Sequence, residues 1–260
     1  MSHLILSPRA IDDSERLAAA ATDRGWTVQR LTGWRLPADT ALPPTLALYG
    51  EPLFARIVAA QANRVLLEPP HDWLTHLPTT FTRRHITLTP LGDLHTLTFP
   101  RFLKPPDDKL FPAQLYPSAQ ALTTARPDLD PAQPVLTSDP VHFASEFRLH
   151  MHHGHAVSCS RYLQDGHLSP SNTDPDCAEA IRFGEELASA ATAFTPPAVV
   201  IDVGRLDHGA WAVVEANPCF GAGLYAGDAN TVLDLLLEAC QPLETHAPSL
   251  APFLFPVTLE

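Results

Sequence analysis

Lysine is nearly absent from this chain: of 17 basic residues, 15 are arginine and only Lys104 and Lys109 are lysine. Long hydrophobic runs are absent too. No stretch of about 18 apolar residues occurs, which excludes a membrane-spanning helix as an expectation. The N-terminal Met1-Ser2-His3-Leu4-Ile5-Leu6 enters its apolar stretch without the basic region or cleavage site of a secretory signal, so the expected location is the cytoplasm. Positive charge is not in surplus; the formal net charge is -12. Broad contact with a phosphate backbone needs clustered Lys and Arg, and nucleic acid is therefore not an expected partner. Cysteine is scarce. Cys159, Cys177, Cys219 and Cys240 stand far apart with no C-x-x-C pair, which argues against a disulfide framework or a zinc site and for small buried thiols. The four tryptophans, Trp26, Trp34, Trp73 and Trp211, are scattered without basic neighbours, as packing residues are, and form no base-stacking platform.

What is present suits a globular protein. With 260 residues, 45% of them hydrophobic and 18% charged, the chain can bury a sizeable core as one large domain or two small ones. The first residues alternate short apolar strands with helical stretches: strands at Leu4 to Leu6, Thr27 to Leu31, Thr45 to Tyr49 and Arg64 to Leu67, helices at Ile11 to Gly25 and Glu51 to Gln61. That alternation predicts a small α/β domain with a parallel sheet, closed by a short helix near Trp73 to Leu77. From about Phe81 the pattern turns to strands: Ile86 to Leu88, Leu97 to Leu103, Val135 to Thr137, Phe147 to Met151, Ala156 to Tyr162, Val199 to Val203 and Trp211 to Ala216. Two helices interrupt them, Asp176 to Ala193 and Asn230 to Cys240, and Thr123 to Pro134 reads as a loop. No internal repeat is visible, so the 27 prolines mark tight connections within a compact fold.

The chemistry concentrates in two places. Lys104 and Lys109 stand five apart in Lys104-Pro105-Pro106-Asp107-Asp108-Lys109. In a chain so tilted to arginine they are either accidental or positions that need a compact ammonium, able to meet a phosphate oxygen as a point charge. Further on, Val199-Val200-Ile201-Asp202-Val203 is an apolar strand holding one acid, and Trp211 to Asn217 is a second strand, with Asp207-His208-Gly209 a turn between them. A hairpin with His208 and Gly209 as its loop sets Asp202 directly opposite Glu215, and Asn217 shares the face of Glu215 because strand side chains alternate. Opposed carboxylates repel unless a cation lies between them, and two carboxylates plus an amide oxygen suit Mg²⁺ held jointly with nucleotide phosphates. The alternative is a solvated polar strand edge, but a bare charge amid Val and Ile would be costly.

Asp202, then Glu215-Ala216-Asn217-Pro218 and the Gly-rich Phe220-Gly221-Ala222-Gly223-Leu224-Tyr225, resembles the metal-binding signature of the ATP-grasp superfamily. Upstream, Lys104-Pro105 through Lys109 is similar to its lysine-bearing strand and phosphate-covering loop, Val135 to Val141 to its interdomain hinge, and Glu146-Phe147-Arg148 to an E-x-R pattern after the hinge. The set resembles the clade named for one arginine and two lysines, over roughly residues 80 to 228. It departs in lacking a full Gly-rich phosphate loop and in carrying Asp139 where a hinge glutamate is usual.

The resemblance implies an ATP-grasp fold, mixed α/β and α+β, with a small N-terminal α/β (pre-ATP-grasp) domain over residues 1–80 and two lobes clasping ATP within 81–260. It implies ATP and Mg²⁺ as cofactors: Lys104 and Lys109 toward the phosphates, Thr137, Ser138, Asp139 and Val141 toward adenine and ribose, and Asp202, Glu215 and Asn217 toward the metal. Arg148 falls near the γ-phosphate and acyl phosphate, with Arg161 a second candidate for that role. The implied activity is an ADP-forming ligase that joins a small-molecule or peptide carboxylate to an amine acceptor. An ATP-binding sensor or scaffold and a small-molecule phosphotransferase are the rivals.

Three features remain open in the sequence. His150 and His152 share a strand face and could bind a transition metal, or Met151 continues an apolar face and His153-Gly154-His155 is its turn. Phe220 to Tyr225 is either a mobile gate over an acceptor or a plain turn. Arg83-Arg84 touches substrate or lies on the surface.

Overall fold

The structure, a computed structural model, describes residues 2–37, 40–106 and 110–255. Lys109 lies outside the described residues, as do its neighbours Asp107 and Asp108.

In the N-terminal unit, β1 (His3–Leu6) is followed by α1 (Asp12–Asp23), β2 (Thr27–Arg30), β3 (Leu46–Tyr49), α2 (Pro52–Gln61) and β4 (Arg64–Leu67). Every residue of β1 and β3 is buried, as expected of parallel strands covered on both faces. The sheet runs β2-β1-β3, all parallel. Asp12, Asp13 and Glu15 occupy the first turn of α1, where acids meet the positive end of the helix. Gly25, at φ +72°, ends it.

The second unit comprises α3 (Thr79–Thr82), β5 (Ile86–Pro90), β6 (Arg101–Lys104), β7 (Gln114–Tyr116), α4 (Ala119–Ala125) and β8 (Pro134–Ser138), with an antiparallel sheet in the order β5-β8-β6-β7. Two expectations fail here. The strand read over Leu97 to Leu103 begins only at Arg101, because a 3₁₀ turn runs to Thr96 and Pro100 lacks a backbone donor. Part of the Thr123 to Pro134 loop belongs to α4, whose N-cap Ser118 accepts a hydrogen bond from the Ala121 N–H at 3.2 Å.

The third unit contains β9 (Phe143–His152), β10 (His155–Gln164), β11 (His167–Ser171), α5 (Cys177–Ala190), β12 (Ala198–Leu206), β13 (Trp211–Asn217) and α6 (Ala229–Glu238), and its antiparallel sheet runs β11-β10-β9-β12-β13. One face is apolar and packs on α5. There Gly184 lies so close to Leu149 that an added Cβ would stand 2.2 Å from Leu149 Cδ1. The other face carries the polar row described below and is partly roofed by α6, which packs mainly on the N-terminal core. The chain ends by returning to that core. β14 (Cys240–Pro242) and β15 (Leu254–Phe255) flank β4, so β4 forms an antiparallel sheet with them and does not join β1 to β3.

Candidate functional site

Strand pairing lays one polar row across four strands. Ser160 on β10 pairs with Arg148 on β9, Arg148 with Asp202 on β12, and Asp202 with Glu215 on β13. The expected opposition of Asp202 and Glu215 is present, but it arises from two deviations that cancel. The hairpin loop has three residues, Asp207-His208-Gly209, with Gly209 at φ +84° and its N–H donating to the Leu206 carbonyl at 2.7 Å. A bulge between Val213 and Glu215 then restores the register. That bulge matters because strict alternation would set Val213 and Glu215 on one face. With the extra residue Val214, Val213 faces the core while Glu215 faces the cleft.

A bulge leaves ladder carbonyls unpaired, and Arg84 supplies the donors. Its Nη1 donates to the Val213 carbonyl at 2.7 Å and its Nη2 to that of Val214 at 3.3 Å. Burial pulls the Arg84 guanidinium down to about 10, which still leaves it charged at neutral pH. The arginine that sequence left undecided is therefore a brace for the strand bearing Glu215.

On the cleft face, Arg148 and Asp202 form a two-pronged pair, Nε to Oδ1 at 2.9 Å and Nη2 to Oδ2 at 2.7 Å. Asp202 is 0% exposed and Arg148 8%. Burial pushes the Asp202 carboxyl above its ordinary value, with the Arg148 charge opposing it. The third Arg148 nitrogen, Nη1, donates to the Gly223 carbonyl at 3.2 Å. The guanidinium also lies against Tyr162 and Tyr225, whose rings stack 4.9 Å apart at 9°. Tyr162 donates a short hydrogen bond to Glu146, the first member of the E-x-R pattern. Beyond Asp202, Asn217 Nδ2 reaches its Oδ2 at 3.4 Å and Glu215 Oε1 at 2.9 Å, and Lys104 Nζ, from β6 of the facing sheet, donates to Glu215 Oε2 at 2.6 Å. Burial opposes the charge on Glu215, but the Lys104 ammonium and the bonds from Lys104 and Asn217 prevail and hold its carboxyl below the ordinary value.

Lys104, Arg148, Glu215, Asn217 and Gly223 border a cavity of about 960 Å³ at the junction of the three units. The N-terminal unit contributes Glu51, Arg56, Glu68 and His71 to its wall, the second unit Lys104 to Pro106, Leu110 to Ala113 and Leu136, and the third Arg148, Glu215 to Pro218 and Gly221 to Gly223. Sequence reasoning missed the first of these contributions. Arg56 pairs with Glu68 through two bonds of 2.8 and 2.7 Å, and no motif marks either residue.

Several expected site residues lie elsewhere. Arg161 shares a strand face with Phe147, on the side of α5, since the period of two that aims Arg148 and Ser160 at the cleft turns Arg161 away. Its guanidinium holds Asp174 at 2.5 Å and Ser169, securing β11. Thr137 is 0% exposed and bonds to Thr87 at 2.9 Å, on the opposite face of β8 from cavity-lining Leu136. Asp139 pairs with Arg101 at 3.0 Å and accepts from the His85 N–H at 3.0 Å. Ser138 is buried and Val141 36% exposed, and neither borders the cavity. Asp202 is in the row, but it is fully buried with Arg148 on both of its oxygens and does not border the cavity, whereas Glu215 and Asn217 do. The segment Phe220 to Tyr225 is no loose gate. Asp13 accepts from the Leu224 N–H at 3.0 Å, Tyr49 donates to the Ala222 carbonyl at 3.1 Å, and Arg16 donates to the carbonyls of Tyr225 and Gly227.

No curated protein matches the chain significantly. Among solved structures, the chain is similar to a RimK domain protein of the ATP-grasp type from Sphaerobacter thermophilus, at 17% identity and a TM-score of 0.56, over 91% of this chain and all of that one. D-cycloserine synthetase DcsG is similar at 15% identity and a TM-score of 0.57, covering 91% and 99% of the two chains. The D-alanine–D-alanine ligase of Bacillus anthracis is similar at 9% identity and a TM-score of 0.54, over 92% and 97%. At such identities the likeness establishes the fold, which is ATP-grasp. The model of an ATP-grasp domain family, the second family of the clade named for one arginine and two lysines, matches residues 81–235, more than half of the chain, and the protein belongs to that family.

Proposed function

We propose that this protein is an ATP-dependent ligase that converts a small-molecule or peptide carboxylate into an acyl phosphate and joins it to an amine or similar nucleophile. The observation that carries the proposal is the hydrogen-bonded chain Lys104, Glu215, Asn217, Asp202, Arg148, all but the buried Asp202 on the wall of a cavity large enough for a nucleotide and a further substrate.

The donor set fits Mg²⁺. Glu215 and Asn217 offer hard oxygens at the cavity wall, and Mg²⁺ is commonly held by one or two carboxylates with nucleotide phosphates and water filling the rest. When bound, it would supply positive charge to the phosphates. Lys104 would exchange its bond to Glu215 for a phosphate oxygen, a point-charge contact suited to an ammonium. Adenine and ribose would lie against Leu136 of β8, the residue of the Val135 to Val141 segment that borders the cavity. Arg148 would stabilise negative charge as phosphoryl transfer proceeds, its orientation fixed beforehand by Asp202 and the two tyrosines. A carboxylate oxygen of the substrate attacks the γ-phosphorus, the bond to the β-phosphate oxygen breaks and ADP leaves. The amine then attacks the acyl carbon and releases phosphate. Polar groups of the N-terminal unit, Glu51 and the Arg56–Glu68 pair among them, would meet the substrates. Structural relatives support the reading in kind, since they include a D-alanine–D-alanine ligase and a ligase solved with a precursor peptide and AMPPNP.

The test is isotopic. In reactions with ¹⁸O-carboxylates, ADP release should require both a carboxylate and an amine, and one ¹⁸O should appear in the released phosphate. A stable phosphorylated product, or ATP turnover that no carboxylate or amine accelerates, would contradict ligation.

A further inference from the structure

Away from the cavity, the histidine-rich turn after β9 meets the end of α6. His152 is the last residue of β9, His153 opens the turn, and Glu238 is the last residue of α6, 85 positions further on. Neighbouring residues of a strand normally point to opposite faces. Here His153 adopts φ +49°, and its ring turns back to lie 4.5 Å from that of His152, at 37°. One nitrogen from each ring and one oxygen of Glu238 all lie within 4.8 Å of one another. His152 Nε2 is buried and has no hydrogen-bond partner among the described residues.

We propose that His152, His153 and Glu238 form a site for a borderline divalent transition ion such as Zn²⁺, Co²⁺ or Ni²⁺. Two imidazoles and a carboxylate suit these ions, whereas the oxygen-only pair Glu215 and Asn217 suits Mg²⁺. Metal–ligand bonds of about 2.0–2.2 Å require ligand atoms roughly 3.3 Å apart, so the site closes by rotation of exposed His153 and partly buried Glu238. Burial lowers the proton affinity of His152, which favours the neutral imidazole that a metal needs. The other acid near His152, Asp234 on α6, is engaged by Arg24 at 2.7 Å and leaves Glu238 as the available carboxylate. Three protein ligands leave a position for water.

The site is independent of the ligase reading. His152 is four residues along β9 from Arg148, about 13 Å at strand rise. Its place in the fold gives it a structural role. α6 is secured at its start, where the Asp228 N–H donates to Ser158 Oγ at 3.0 Å, and the metal would secure its end against the β9–β10 hairpin.

The test uses the full-length, untagged protein in excess Mg²⁺, with Co²⁺ and Zn²⁺ titrated in competition with a chromophoric chelator. The expected result is one equivalent bound at micromolar affinity or tighter, with visible Co²⁺ bands and a Zn²⁺-dependent rise in Tm. His153→Gly, which keeps the positive φ, and Glu238→Gln should each weaken binding at least tenfold, while Glu215→Gln should not. Absence of stoichiometric binding, binding unchanged in the first two variants, or binding lost in Glu215→Gln would overturn the proposal.

Discussion

Replacing Asp202 by Asn changes few atoms and tests how much the fold depends on the Arg148–Asp202 pair. Asp202 is 0% exposed, and both of its oxygens accept from Arg148, at 2.9 and 2.7 Å. An asparagine can keep one of these bonds, but its amide then sets a donor against a guanidinium donor, and the buried arginine loses its counter-charge. Breaking a buried pair from one side costs about 3–5 kcal/mol. For 260 residues the entropy of unfolding is roughly 0.55 kcal/mol/K, so the melting temperature should fall by about 5–9 °C. Arg148→Met should cost a similar amount. The double variant Arg148→Met/Asp202→Leu should recover most of the loss, because apolar replacements of a buried pair are often neutral. Scanning calorimetry of the four proteins measures these shifts. If each single variant shifts Tm by under about 1 °C, the response of an exposed pair worth ~0.5 kcal/mol, the reasoning is wrong.

Arg84→Leu strips the donors from the bulge carbonyls of Val213 and Val214, which should destabilise by about 1–3 kcal/mol in denaturant titration and, by loosening Glu215, lower turnover as well. Gly227→Ala brings a Cβ to 2.7 Å from Ser158 Oγ and 2.9 Å from the Leu224 carbonyl, and should weaken substrate or nucleotide affinity by displacing the Gly-rich segment, as read from titrations of the folded variant. Burial raises the thiols of Cys219 and Cys240 to about 12, above their unfolded values. Their contribution is therefore complete below pH 9 and is lost as pH rises from 9 toward 12, at roughly 1.4 kcal/mol per thiol per pH unit. Cys→Ala variants should flatten that alkaline limb in urea melts.

Much of this site could be read along the chain because strands carry their functional residues at period two. Glu146 with Arg148 and Glu215 with Asn217 follow that rule directly, and Asp202 stands out as one acid in an apolar strand. The rule also argued against Arg161 once Arg148 was placed on the cleft face, a constraint visible only after strand pairing is known. The opposition of Asp202 and Glu215 was legible for an incomplete reason, since neither the three-residue loop nor the compensating bulge has a sequence signal beyond Gly209. What stayed hidden depends on long-range closure. β4 reads as a parallel strand, yet the chain end supplies its partners, and the Arg56–Glu68 pair borders the cavity only because the N-terminal unit folds over it. The Gly-rich segment suggested freedom from composition, while its restraint comes from Asp13 and Arg16, more than 200 residues earlier.

The most direct measurement is a calorimetric titration of ATP into wild type, Lys104→Met and Glu215→Gln, each with and without Mg²⁺. The expected result is Mg²⁺-dependent binding to wild type, affinity reduced at least tenfold in Lys104→Met, and loss of the Mg²⁺ dependence in Glu215→Gln, with all three proteins folded. Equal binding by the three proteins, or none by wild type under any condition, would contradict a nucleotide site built on Lys104, Glu215 and Asn217.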